Sequence, residues 1–216
     1  SGPLGGRRIE IRGIVQGVGF RPWVFRLAGV HGLGGWVRND ARGVTIRVDP
    51  KTGDVTLFAS GLPARNPDLF FIGSGVVDVA FRGWTAYALV TGVAPDLDGD
   101  DIVGIYRIDD PDHFTVIADI GAWSIEHPPV PEFFVPTGFQ YAFEPYGNGF
   151  IVTDGHHNRI LYVTLAGEIT EVIALDDVVP TGVAVKGNTL YFTEAGPIPH
   201  HPETAKVMSI AQNSSN

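Results

Sequence analysis

The chain has no cysteine and one methionine in 216 residues. Disulfides, thiolate nucleophiles and zinc–thiolate sites are thereby excluded, and redox chemistry says nothing about a compartment. Charge is also sparse, with Asp, Glu, Lys and Arg at 18%, too little for long solvated helices. No apolar run is long enough to cross a bilayer, and no stretch has the layout of a signal peptide. No Lys/Arg stripe interleaved with aromatics marks a nucleic-acid surface. Neither nucleic acid nor membrane is expected as a partner, and the compartment stays open.

What is present is apolar and turn-rich. Hydrophobic residues reach 44%, with 28 Gly and 16 Pro, a mixture that suits short strands and tight turns around a packed core. The net charge of −9 is unevenly spread. Residues 1–50 carry eight arginines against three acids, a net of +5, and the rest carries −14. Two pieces of different character are expected.

The first piece is short. Arg8 to Val15 alternates apolar and charged residues, the period of a half-buried strand. Pro22 suits a first helical turn, and Trp23, Val24, Leu27 and Ala28 follow at helical spacing. Trp36 to Asn39, a turn at Asp40–Gly43, and Val44 to Val48 read as a hairpin. Residues 8–48 therefore predict β-α-β-β. Between the first strand and the helix lies Gln16-Gly17-Val18-Gly19-Phe20-Arg21. Backbone N–H groups of such a loop converge on an anion, a helix N-terminus adds a favourable field, and Arg21 offers two parallel donors. An ordinary strand–helix turn with a surface arginine is the alternative.

The strings VQGVGFRPWVFRLA and GLGGWVRNDARGV, taken together, resemble the acylphosphatase family, and most closely the acylphosphatase-like N-terminal domain of HypF-type hydrogenase-maturation carbamoyltransferases. The resemblance covers about residues 7–48. It implies that Gln16–Phe20 cradle an acyl phosphate, that Arg21 binds the phosphate, and that Asn39 orients the attacking water. Such a reaction needs charge stabilisation and a placed water rather than a covalent nucleophile. The family's second helix and last strand are not visible after residue 48, so the segment reads as truncated.

From Pro50 onward the predicted class is mainly β. Short apolar runs (VTLFA, GVVDVAF, TAYALVT, GIYRI, FTVIADI, GFQYAF, GFIVT, RILYVT, EVIAL, GVAV, TLYFT) alternate with Gly, Pro, Asp and Asn turns. Pro136-Thr137-Gly138 recurs as Pro180-Thr181-Gly182, 44 residues on, and FIVTDG recurs as LYFTEAG. A period near 44 suggests about three to four propeller blades over residues 50–210, an incomplete ring, followed by a disordered tail at 211–216. A β-sandwich is the alternative. The string VTIRVDPKTGDVTLFASGL also reads as one hairpin across the expected join.

Several stretches, among them SGVVDVAFRGWTAYALVT, FVPTGFQYAFEPYGNGFIVTDGHHNRILYVT and GEITEVIALDDVVPTGVAV, resemble the ScyD/ScyE family of secreted β-propeller-like proteins over about residues 54–210. The resemblance implies a binding or scaffold module, taking a small molecule or a protein partner at its loop face. Self-association would close the ring.

Two constellations in this part carry polar chemistry. Asp154, His156 and His157 lie at a predicted strand end, with Glu194 and His200 at the corresponding place in the next unit. Imidazoles and carboxylates meeting there would bind a metal or hydrolyse a substrate; the alternative is that they satisfy turn backbones. Asp96, Asp98 and Asp100 alternate as calcium ligands do, without the trailing glutamate of an EF-hand. The calcium loop and the solvated acidic loop are both open. No other cofactor is expected.

Overall fold

A computed structural model describes residues 45–48, 55–64, 73–197 and 202–211. The architecture is mainly β, built from successive antiparallel meanders. Strands β1 (Thr45–Val48) and β2 (Val55–Ala59) form a hairpin. The next four, β3 (Gly75–Arg82), β4 (Thr85–Thr91), β5 (Gly104–Asp110) and β6 (His113–Asp119), pair in chain order. Helix α1 (Ile120–Glu126) and a long loop lead to a second four-stranded sheet. Its strands are β7 (Gln140–Tyr146), β8 (Gly149–Asp154), β9 (Arg159–Thr164) and β10 (Ile169–Ala174), again in chain order. A three-stranded sheet of β11 (Pro180–Lys186), β12 (Thr189–Glu194) and β13 (Lys206–Ala211) ends the described chain.

The sheets stack face to face, and alternation along the second strand of each explains how. In β4, Tyr87 and Leu89 face β8 residues Phe150 and Val152 in one core cluster, while Ala86, Ala88 and Val90 face Phe58, Ala59 and Leu62 of the hairpin side in another. In β8, Ile151 turns the other way to meet Leu190 and Phe192 of β12. Each four-stranded sheet is thus covered on both faces, which is why β4 and β8 read as nearly unbroken apolar runs. Phe150 anchors the middle, with ring centroids 4.9 Å from Tyr87 and 5.0 Å from Phe143, geometries that add to simple area burial.

Polar ties reinforce the stack. Arg82 of the first sheet donates to the carbonyls of Gly149 and Gly147 in the β7–β8 turn, at 2.7 Å each. Asp78 accepts from the Phe143 N–H at 3.1 Å. Burial pushes its carboxyl up to about 6, against the lowering effect of that bond. Thr153 donates to the Thr181 carbonyl at 2.7 Å and so joins the second sheet to the third.

Three features depart from the sequence reading. Helix α1 interrupts a stretch read as β; Asp119 caps it by accepting from the Ala122 N–H at 2.8 Å. Strand β13 lies where the sequence predicts no strand, and its last residue, Ala211, falls within the expected disordered tail, the rest of which lies outside the described residues. The spacing of equivalent strands is 40 residues rather than 44, because Asp154 pairs with Gln140 where Glu194 pairs with Pro180. Pro136-Thr137-Gly138 therefore sits before β7, whereas Pro180-Thr181-Gly182 lies within β11. The first strand of every sheet carries an irregularity near its start, after Val76, Gln140 and Pro180. The expected join near residue 49 falls between β1 and β2, which pair as the continuous hairpin predicted for that string.

Candidate functional site

Strand register assembles the main polar cluster. Asp154 ends β8 and stands opposite Gln140 of β7 on one side and Arg159 of β9 on the other. Directly opposed residues of an antiparallel pair share a face, so three polar side chains lie abreast. The turn between β8 and β9 places Asn158 at φ 53° and folds His157 back onto Asp154, three residues behind it.

All four side chains are buried. Asp154 Oδ1 accepts from Gln140 Nε2 at 3.0 Å, and its Oδ2 accepts from Arg159 Nε at 2.8 Å. The guanidinium also donates to the His127 carbonyl at 2.7 Å and to Ser124 Oγ at 2.9 Å, with Glu171 Oε2 3.8 Å away, and His157 Nδ1 lies 3.0 Å from both the guanidinium and Asp154 Oδ2. The same guanidinium lies over the Trp123 ring, 4.8 Å from its centroid. Gln140 also exchanges bonds with Thr91 of the first sheet, its Oε1 accepting from the Thr91 hydroxyl at 3.0 Å. One connected network therefore runs from β4 through β7, β8 and β9 to helix α1.

The two histidines have divided roles. His157 Nε2 faces the Val135 carbonyl at 3.0 Å, and a carbonyl only accepts, so that nitrogen bears hydrogen. His156 Nε2 accepts from the Val135 N–H at 3.2 Å, so its hydrogen sits on Nδ1. Adjacent imidazoles, one donating and one accepting through Nε2, thus hold both backbone groups of one buried residue. The His156 ring packs edge-on among Phe133, Phe134 and Phe139, at centroid distances of 5.3, 4.7 and 5.7 Å. Burial, then the neighbouring His157, lowers its pKa to about 4. Gly138, at φ +71°, lets the chain pass: a Cβ there would meet Asp154 Oδ1 at 2.6 Å and the His157 ring at 2.9 Å.

Glu194 does not join this cluster. It is buried at the end of β12 with Lys206 Nζ 3.6 Å away. Asp96 Oδ2 accepts from the Thr137 hydroxyl at 2.8 Å and from its N–H at 3.0 Å, pinning the loop before β7. Asp98 terminates a short 3-10 turn at φ 56°, and Asp100 is exposed. Among the described residues no group of three or more His, Asp or Glu is placed to hold a metal ion. Gln16, Gly17, Val18, Gly19, Phe20, Arg21, Asn39 and His200 lie outside the described residues.

Sequence reasoning assigned no role to Gln140, Arg159, Thr91 or Val135. The signal for Arg159 was present as Asp-x4-Arg around a turn, the spacing of a cross-strand pair. Chemically the arrangement is closed: the carboxylate, the amide and both imidazoles are committed to protein partners, and Asp154 and His157 have side chains 0% exposed. It locks the 127–139 loop over the ends of β7, β8 and β9.

The acylphosphatase family model matches residues 7–86. The carbamoyltransferase HypF of Rhodobacter capsulatus is 55% identical over 62 residues, 29% of this chain and 8% of that protein. The acylphosphatase of Nitrobacter winogradskyi is 64% identical over 33 residues, 15% of this chain and 33% of that protein. The chain thus carries an acylphosphatase-like segment, yet spans less than a tenth of the matched carbamoyltransferase and a third of the matched acylphosphatase. The family match runs past residue 48, through β1 to β3 and into β4. In fold, the solved luciferin-regenerating enzyme superposes with a TM-score of 0.52 at 13% identity, over 81% of this chain and 53% of that one.

Proposed function

We propose that residues 50–210 form part of a β-propeller of the ScyD/ScyE kind, serving as a binding or scaffold module, with an acylphosphatase-like segment on its N-terminal side. Stacked antiparallel meanders, whose first strands β3, β7 and β11 lie side by side, support the propeller reading. The likeness in fold to the luciferin-regenerating enzyme, a propeller, supports it too. The observation that carries the non-catalytic role is the closure of the Asp154 cluster. Its carboxylate and imidazole are inaccessible and fully engaged, so it acts as a structural lock. A small molecule or protein partner would be taken at the loop face. The outer face of the third sheet, with Tyr191 39% and Val207 70% exposed, is where another chain would close the ring.

A second reading is favoured by the family match over residues 7–86: hydrolysis of acyl phosphates, with Gln16–Phe20 cradling the phosphate, Arg21 binding it and Asn39 placing the water. Benzoyl phosphate hydrolysis by the full chain, with its mass read by light scattering, separates the two. The module reading expects no turnover and no response to Arg21→Ala. Turnover that disappears in both Arg21→Ala and Asn39→Ala would replace it with the hydrolase.

A further inference from the structure

At the outer end of the first sheet, the β1–β2 hairpin, the β3–β4 turn and the β5–β6 turn enclose a groove of about 480 Å³. Its lining includes Leu57, Phe58, Trp84 and Ile108, with Asp109 and Asp110 on one side. Trp84 is 100% exposed, Leu57 63% and the adjoining Phe81 53%. Three large apolar side chains standing in water at one place mark a contact surface rather than scattered exposure. The hairpin wall is fixed: Ser60 N–H donates to the Pro111 carbonyl at 2.9 Å.

The carboxylates on the rim stay ionised. The Thr115 hydroxyl, then Arg107, holds Asp109 below its ordinary pKa, and the Asp112 N–H, then His113, does the same for Asp110. Asp109 is paired with Arg107 at 2.6 Å and Asp110 with His113 at 2.9 Å, and Asp112 beside them leaves the rim one acid in excess of these pairs. The surface therefore suits an apolar segment carrying positive charge.

Such a segment is attached next to it. Residues 1–44 hold seven arginines against two acids, while the remaining residues carry a net of −14. They also contain Ile9, Ile11, Trp23, Phe25 and Trp36. Their exit point is Thr45, which pairs with Ala59, one residue beyond Phe58 on the groove wall. A tether this short gives the segment an effective concentration in the millimolar range or above. We propose that this groove seats the chain's own basic N-terminal segment, residues 1–44, so that the two parts of the chain form one body. The inference goes beyond the functional reading above and holds whether or not the segment hydrolyses anything.

The test is limited trypsin digestion of the full chain, following cleavage after Arg12, Arg26, Arg38 and Arg42 by mass spectrometry. Trp84→Ser and Leu57→Ser should each speed those cuts about tenfold, the usual consequence of removing one apolar anchor from a contact. Raised salt should speed them in the parent chain, normalised to cleavage of a short control peptide. Val130→Ser, at a residue 98% exposed and outside the groove, is the control and should change nothing. Since Trp84 is fully exposed, its replacement leaves the fold standing, which an unchanged Tm verifies. Unchanged cleavage in both groove variants overturns the proposal. So does acceleration confined to Arg65, which would make 65–72 the occupant, or protection that grows with protein concentration, which would make it a second copy.

Discussion

Replacing Asp154 by Ala removes the acceptor shared by Gln140 and Arg159 and leaves the guanidinium of Arg159, 1% exposed, with no counter-charge nearer than the half-exposed Glu171 carboxylate 3.8 Å away. Breaking a buried pair from one side costs about 3–5 kcal/mol, because the remaining charge stays buried. The bonds from Arg159 to His127 and Ser124 do not compensate, since both acceptors are neutral. At about 2–4 °C per kcal/mol for a body of this size, Tm should fall by about 6–20 °C. Differential scanning calorimetry measures this, and the near-ultraviolet dichroism of Trp123, under the guanidinium, should weaken with it. The internal control is Glu194→Ala. Glu194 holds the equivalent register position, but its partner Lys206 is 63% exposed and 3.6 Å away. Its loss should cost under about 1.5 kcal/mol. Equal losses for the two variants, or a drop below 3 °C for Asp154→Ala, would refute the assignment of the cluster as a structural lock.

Other expectations follow from the same geometry. Gly138→Ala places a Cβ against Asp154 and His157 at a positive φ, and should destabilise by about 2–4 kcal/mol in urea titration. His156 has its folded pKa depressed from 6.5 to about 4. The unfolded chain therefore takes up this proton first, and stability present above pH 6.5 is lost as pH falls toward 4. Asp78 acts in the opposite sense: its folded pKa is raised from 3.8 to about 6, so its contribution improves as pH falls through 6. In Tm-against-pH profiles, His156→Phe should flatten the acid loss, whereas Asp78→Asn, which retains an acceptor for Phe143, should raise Tm at pH 8. An acid limb unchanged in His156→Phe would show that the imidazole is not the group responsible.

Strand positions were legible because their cause is local. Alternating or continuous apolar runs bounded by Gly, Asn and Asp turns predicted eleven strand-like stretches after residue 50, and β2 through β12 occupy them, while β1 falls in the separately predicted run Val44 to Val48. Helix α1, of 7 residues, is too short to show a period, and only its cap residue, Asp119, signalled it. The 44-residue spacing was read from Pro-Thr-Gly, whereas register follows the strands, which repeat every 40 residues. The four residues of difference lie in the loop before β7.

The amino-acid sequence by itself determined that the chain is mainly β, that charge divides it into a basic start and an acidic remainder, and that an acylphosphatase-like motif occupies the start. What Asp154, His156 and His157 do was decided by tertiary structure. Their partners are Gln140, Val135 and Arg159, brought together by strand register and by a loop that crosses the strand ends. Identical residues on an open loop would be free ligands. Here the Asp154, Gln140, Arg159 and His157 side chains are buried and paired with protein partners, and desolvation with that pairing turns a potential reactive centre into a fastening.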